Sequence, residues 1–337
     1  MPKDLFYHLL MRPFFSKFLL IFSIAAAYGI ITRLLFAVKD MQEWLNIVSM
    51  AFIYTMPISL GALVCFLGYR LDKPSPFWAF GAPPITMFLL LLGSMLFKLE
   101  AAICILVAAP IVLPFTLLGG WIMSLLLKRR QNRGNLQVSA FVLLPFVVSP
   151  LEQAWDVPHV TRIMQNSISI EAPADRIWEE IYEVPAIQKE EIPAQWIYFL
   201  GFPRPVAAMI DKKGIGGKRY ATFEGDVSFY EVVSEWDPPR RLSFSIKADP
   251  EFIPHTAFDE HIIVGGRFYD VLDGTYEIES IDANTSVLHL ESTHRLSTRF
   301  NAYAGWWSEW VMNQIQGSIL EVIQKRCETP PVPGFQR

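Results

Sequence analysis

Four long apolar stretches constrain this chain more than anything else in it: Phe18 to Val38, Leu45 to Tyr69, Phe77 to Phe97 and Ala101 to Leu127. Each, wound as a helix at about 1.5 Å per residue, is long enough to cross a hydrocarbon layer of about 30 Å. Apart from Lys17 and Arg33 near the ends of the first, no charge interrupts them. Such runs leave the first part of the chain little choice but a helical transmembrane bundle. Lys3, Arg12 and Lys17 ahead of the first run, with the small residues of "SIAAA" inside it, resemble a cleaved leader. The long polar lead and the spans that follow favour an uncleaved helix.

A fifth candidate, Leu136 to Trp155, is shorter in its apolar core and carries Pro145 and Pro150. The basic "KRRQNR" lies just before it, and Glu152 and Asp156 lie at its end, which fits a cytoplasmic loop feeding an outward span. Arg70 with Lys73 place another loop on the same side as the basic N-terminus. Five spans are therefore expected, putting the rest of the chain outside the cytoplasm; four would keep it inside. Pro57, Pro83, Pro84, Pro110 and Pro114 occur where broken helices form transporter sites, but spanning helices carry prolines generally. Without ionisable groups inside the runs, an anchoring or lipid-facing bundle is the expectation over a self-contained transporter.

Charge separates the two parts of the 337-residue chain. Up to Trp155 there are 12 Lys/Arg against 6 Asp/Glu, and beyond it 17 against 27, so a basic part (+6) precedes an acidic one (−10). An acidic surface does not release counterions from phosphates, which excludes nucleic acid as a partner. Cys65, Cys104 and Cys327 make no disulfide framework.

After a polar linker over 156–165, "NSISIEAPADRIWEEIYEV" passes from alternation at Ser167 to Glu171 into helical spacing at Ile177, Ile181 and Val184. Pro173 and Asp175 suit the first helical turn. Proline-punctuated residues after Val184 predict a short helix and loop. Short strands are then expected at Lys218 to Glu224, Ser228 to Trp236, Arg241 to Lys247, Gly266 to Val271, Thr275 to Ile281 and Ser286 to Leu296, joined by turns at "GD", "DPPR", "LDG" and "DAN". From Ser297 onward one long helix is predicted, capped by Ser297 or Thr298 and closed by Lys325 and Arg326.

This order, with an opening "SISIEAPADRIWEEI" in which a strand ending in Ala-Pro leads to a helix bearing Trp178, resembles the START-like (SRPBCC) superfamily, which includes polyketide cyclases, aromatases and lipid-transfer proteins. The resemblance spans about half the chain. The expected fold is an α-helical transmembrane bundle over 1–155 followed by an α+β helix-grip domain over 166–328, with a curved antiparallel sheet, a long C-terminal helix and a tail over 329–337. The resemblance implies an apolar cavity between sheet and helix, but not a reaction, because the architecture serves many functions.

The terminal helix holds "GWWSEW", and at 100° per residue Phe300, Tyr303, Trp307, Trp310, Val311 and Gln314 share one face, with Glu309 and Gln316 opposite and Trp306 at the edge. If that face meets the sheet, Tyr303, Trp307, Trp310 and Gln314, with Phe244 and Tyr276 from the strands, are the expected contacts for a hydrophobic small molecule or lipid. Alternatively the rings fill the core and leave no cavity, or the face docks on a bilayer.

No Gly-x-Ser-x-Gly elbow, His-Glu-x-x-His, Walker loop or paired-cysteine spacing occurs. No metal or cofactor is expected. "KKGIGGKR" precedes a strand and so makes a poor phosphate cradle, and the cluster His255, Asp259, Glu260 and His261 reads as a solvated loop. The candidates for acid/base chemistry are Glu231, His289, Glu291 and His294, of which His289 and Glu291 share one strand face and His294 points to the other. Two functions follow: a membrane-anchored domain that binds or shuttles a hydrophobic ligand, or a cyclase, aromatase or dehydratase acting on a membrane-soluble substrate. An assembly module without a ligand is a third.

Overall fold

The computed structural model describes residues 13–41, 44–129, 134–248 and 264–329. The chain divides into two compact units, Met1–Asp156 and Val157–Arg337.

The first unit consists of helices. α1 spans Pro13–Ala37, α2 Met56–Leu71, α3 Ala82–Leu96, α4 Ala102–Arg129 and α5 Gly134–Gln153. α2 and α3 are entered through single wide π turns, Ala51–Thr55 and Phe77–Gly81, each just ahead of a proline that has no N–H to continue the regular ladder. Among the described residues, four segments are long and apolar enough to cross a membrane: Phe15–Ala37, Ala51–Leu71, Phe77–Leu96 and Ala102–Arg129. Their outward side chains are those that lipid tolerates and water does not, for example Leu34, Phe88 and Leu96.

Close backbone contact holds the bundle. A Cβ at Gly61 would lie 1.9 Å from the Thr116 carbonyl oxygen, and one at Gly119 would lie 2.0 Å from that of Ile58, so α2 and α4 meet only because both positions are bare. α5 runs unbroken through Pro145, which leaves the Phe141 carbonyl without its helical donor. Ser59 of α2 fills the vacancy, its hydroxyl donating to that oxygen at 2.6 Å, and Tyr28 of α1 donates to the next carbonyl, Val142, at 3.1 Å. At the other end of α5 the Glu152 carboxylate accepts from the backbone N–H groups of Met50 and Ala51, both at 2.9 Å, and so caps the helical segment that leads into α2. The charge within the first span is also matched: Arg33 Nε donates to Glu100 Oε1 at 3.0 Å.

The second unit is a seven-stranded, wholly antiparallel, curved sheet and a long helix. β1 (Val160–Ile170), α6 (Ala174–Tyr182), α7 (Trp196–Phe199), β2 (Pro205–Ile210), β3 (Lys218–Phe223), β4 (Val227–Asp237), β5 (Arg241–Ala248), β6 (Tyr269–Ser280), β7 (Ser286–Leu296) and α8 (Asn301–Glu328) follow in order. The sheet order is β1-β7-β6-β5-β4-β3-β2, so the first strand closes onto the last and the middle strands fan outward as a meander. β7 alternates strictly: Leu288, Leu290, Ser292, His294 and Leu296 are buried, their neighbours less so. α8 lies along that inner face, giving the helix-grip arrangement.

Several elements depart from the sequence reading. β1 begins at Val160, inside the stretch taken as linker, because Arg162 and Asn166 find partners on α8. β2 was not foreseen. Between Gly266 and Ile281 there are not two strands around a "LDG" turn but one strand, β6, from Tyr269 to Ser280, with a bulge between Val271 and Asp273 that absorbs the extra residue. α8 starts at Asn301, four residues after Ser297, and the Asn301 side chain accepts from the Thr298 N–H and hydroxyl at 2.8 Å.

The largest correction concerns which side of α8 meets the sheet. The buried stripe is Gly305, Ser308, Met312, Gln316, Leu320 and Ile323, roughly opposite the aromatic face. Gln316 was expected to face away, yet it is 2% exposed, accepting from Asn166 and donating to Ser292 and to the Met164 carbonyl. Small and polar residues let the helix lie close and bond to the strands. The tryptophans pack edge to face on one another instead, with Trp307 centred 4.8 Å from Trp306, 6.0 Å from Trp310 and 6.5 Å from Tyr303.

Candidate functional site: an apolar cavity with one ion pair

The two layers do not close completely. A cavity of about 200 Å³ remains between the inner face of the sheet and α8. Its wall is almost wholly apolar, with Phe229, Phe244 and Leu290 from strands and Met312, Ile315 and Ile319 from the helix. At one side it is bounded by the loop ahead of β2, through Phe202 and Pro203. α7 in that loop is fixed to α8 by the Tyr198 hydroxyl, which donates to Ser318 Oγ at 2.5 Å. Trp196 and Phe199 of the same turn point outward, 75% and 76% exposed, with ring centres 5.9 Å apart.

One charged pair stands in this apolar wall. Arg219 and Glu231 are direct cross-strand partners in the β3–β4 register, both face inward, and the Arg219 Nη1 donates to Glu231 Oε2. Arg219 also lies over the Phe244 ring, 5.3 Å from its centre, and Tyr276 stands beside Phe244. Phe244 occupies its place because position 274 is glycine: a Cβ there would come within 2.7 Å of the ring. Burial raises the Glu231 carboxyl above the usual carboxylate range even though Arg219 pulls it down. Burial also opposes the charge on Arg219, but the Glu231 carboxylate and the Tyr276 hydroxyl outweigh it, so the guanidinium stays protonated above its ordinary value.

The candidate residues separate accordingly. Phe244, Tyr276 and Glu231 line the cavity; Tyr303, Trp307, Trp310 and Gln314 do not, since they lie on the side of α8 away from the sheet. His289 is on the outer face of β7, its Nε2 3.5 Å from Glu279, and Glu291 shares that face. His294 is fully buried on the inner face but outside the cavity wall, its Nε2 3.0 Å from Ser308 Oγ and its ring near Tyr269. His255, Asp259, Glu260 and His261 lie outside the described residues. "KKGIGGKR" turns the chain between β2 and β3, with Gly214 and Gly216 at φ of 106° and 78°. Among the described residues no cluster of His, Cys, Asp and Glu is placed to hold a metal.

Sequence reasoning missed Arg219. The available signal was its phase in "KRYATF", where Arg219, Ala221 and Phe223 alternate with Lys218 and Tyr220, so that one basic residue must share a face with apolar ones.

No protein-family model and no curated protein matches the chain. Solved structures align with about half of it. Truncated norcoclaurine synthase from Thalictrum flavum is 15% identical, with 51% of this chain and 96% of that one covered and a TM-score of 0.32. A protein from Arthrobacter aurescens is also 15% identical, covering 52% and 92% with a TM-score of 0.32, and one from Nitrosospira multiformis is 15% identical, covering 49% and 96% with a TM-score of 0.29. Likenesses of this degree add nothing to the architecture drawn from the chain itself.

Proposed function

We propose that the C-terminal unit captures a hydrophobic ligand in the cavity between its sheet and α8, and that the ligand comes from the bilayer crossed by the N-terminal helices. The observation that carries this reading is the cavity itself, since water gains little from a wall with so few polar groups while an apolar ligand gains from burial. The outward Trp196 and Phe199 support it, because indole and phenyl rings partition to membrane interfaces and these two belong to the loop that bounds the cavity. Copurification tests it: the full chain, extracted with its lipid and released from the membrane mimic for native mass spectrometry, carries a bound apolar adduct on this reading. An adduct-free protein from every host membrane tried counts against it.

A second reading, catalysis of the cyclase or dehydratase kind, is favoured by one observation. Glu231 is the only carboxyl group among the described residues of the cavity wall, and its raised pKa brings it nearer to acid/base work at neutral pH. Turnover of a membrane-soluble substrate that survives Glu231→Gln unchanged removes that support. The basic loop ahead of α5 favours a five-span topology with the C-terminal unit outside the cytoplasm, which a reporter fused at the C-terminus checks.

A further inference from the structure

We propose that the cavity's ligand carries, on an otherwise apolar body, an oxygen that accepts a hydrogen bond from Arg219. This deepens the ligand-binding reading and rests on it. A guanidinium offers five donors. Arg219 is 4% exposed; its Nη1 meets Glu231, the Tyr276 hydroxyl lies close enough to accept from the guanidinium, its Nη2 has a long contact to the Ile181 carbonyl at 3.4 Å, and its Nε has no acceptor among the described residues. A buried cation with donors left over, on the wall of a cavity, is a place for a partner that the chain does not supply.

Two other polar side chains of the wall are already engaged, and the Tyr276 hydroxyl belongs to the Arg219 group. Gln316 is bonded to Asn166, Ser292 and the Met164 carbonyl, and Thr222 Oγ1 donates to the Ala207 carbonyl at 3.2 Å. Arg219 is the cation of the wall, so the ligand lays an apolar body against the strands and α8 and its oxygen against β3. Size adds a second bound. One water needs about 10–15 Å³ of a cavity measured in this way, so 200 Å³ holds a ligand on the order of a dozen or more heavy atoms. Medium-chain or compact isoprenoid acids and ketones have that shape and that single polar end.

The test uses the full chain in phosphatidylcholine nanodiscs. A photoreactive alkyl diazirine labels the cavity, read as crosslinks on the peptide holding Met312 and Ile315, and dodecanoate, 2-dodecanone and dodecane compete at equal mole fraction in the bilayer. A hydrogen bond to a charged donor corresponds to roughly ten- to a hundredfold in competition. Dodecanoate or 2-dodecanone is expected to displace the label at that much lower mole fraction than dodecane, and whichever is stronger tells whether the oxygen is anionic or neutral. In Arg219→Leu/Glu231→Leu, which removes both charges and leaves none unpaired, the label persists and the competitors become equal. Equal competition in the native protein, or a preference unchanged in the double variant, overturns the proposal while leaving ligand binding intact. Absence of any cavity label overturns the ligand reading itself.

Discussion

Ala221→Leu distinguishes an open cavity from a core that closes in solution. Ala221 is buried on the inner face of β3 and forms part of the cavity wall. Leucine adds three carbon groups, and at about 0.8 kcal/mol for each one buried the full transfer amounts to about 2.4 kcal/mol. Imperfect fit reduces this, so the empty protein is expected to gain about 1–2 kcal/mol while the alkyl label in the cavity is lost. If the surrounding rings filled the space instead, the same change would be overpacking and would cost about 1–3 kcal/mol. Ala172→Leu supplies the contrast: Ala172 is 3% exposed in the tight cluster with Ile170 and Ile177, away from the cavity, and is expected to lose that amount. Amide hydrogen exchange of β3 and β4 in the full chain reads both variants on one scale. Equal destabilisation by Ala221→Leu and Ala172→Leu refutes the cavity and with it the ligand reading.

Three further outcomes follow from the packing and the charges. Gly61→Ala needs a shift of about 1.5 Å to bring its 1.9 Å approach out to the ordinary contact of 3.4 Å, and is expected to cost at least the 1–3 kcal/mol of overpacking, whereas Gly93→Ala, with nothing within 4 Å, is neutral or slightly stabilising in a detergent-unfolding titration. Glu152→Ala strips the cap from the Met50 and Ala51 N–H groups and is expected to cost about 0.5–2 kcal/mol in the same titration, while Glu152→Gln, which keeps an acceptor oxygen, costs less. His294 resists protonation in the folded unit because of burial and then the nearby Arg162 charge, with Glu309 pulling the other way. The unfolded chain binds a proton near the ordinary value of 6.5 and the folded one does not, so stability is complete above that pH and declines as pH falls towards the lowered folded value. Urea unfolding at pH 7.5 and 5.5 should give a smaller difference in His294→Gln than in the native protein; an unchanged difference sinks the assignment.

The apolar spans and the alternating strands were legible because burial writes a period into the sequence. Three features were not. The bulge in β6 reads as a turn, since Asp273 and Gly274 are turn residues by composition, and only the Phe244 ring across the sheet explains why glycine is needed there. The tryptophans of α8 carry the strongest apolar signal on that helix, yet contact with the sheet goes to Gly305, Ser308 and Gln316, whose value lies in small size and hydrogen bonds rather than in hydropathy. The ion pair depends on the register that sets Arg219 opposite Glu231, a relation between strands that neither strand states alone. By contrast, Phe244 and Tyr276 were within reach as aromatic residues on predicted central strands.

The void between sheet and helix also bears on how long the protein lasts. An apolar wall around about 200 Å³ holds its side chains apart, so the domain without a ligand makes fewer dispersion contacts than a filled core of the same size would. A ligand that fills it supplies those contacts, and the unfolded fraction exposed to proteases falls as ligand concentration rises above its Kd. Abundance of the protein would then follow the supply of its ligand, with degradation removing the copies that stay empty.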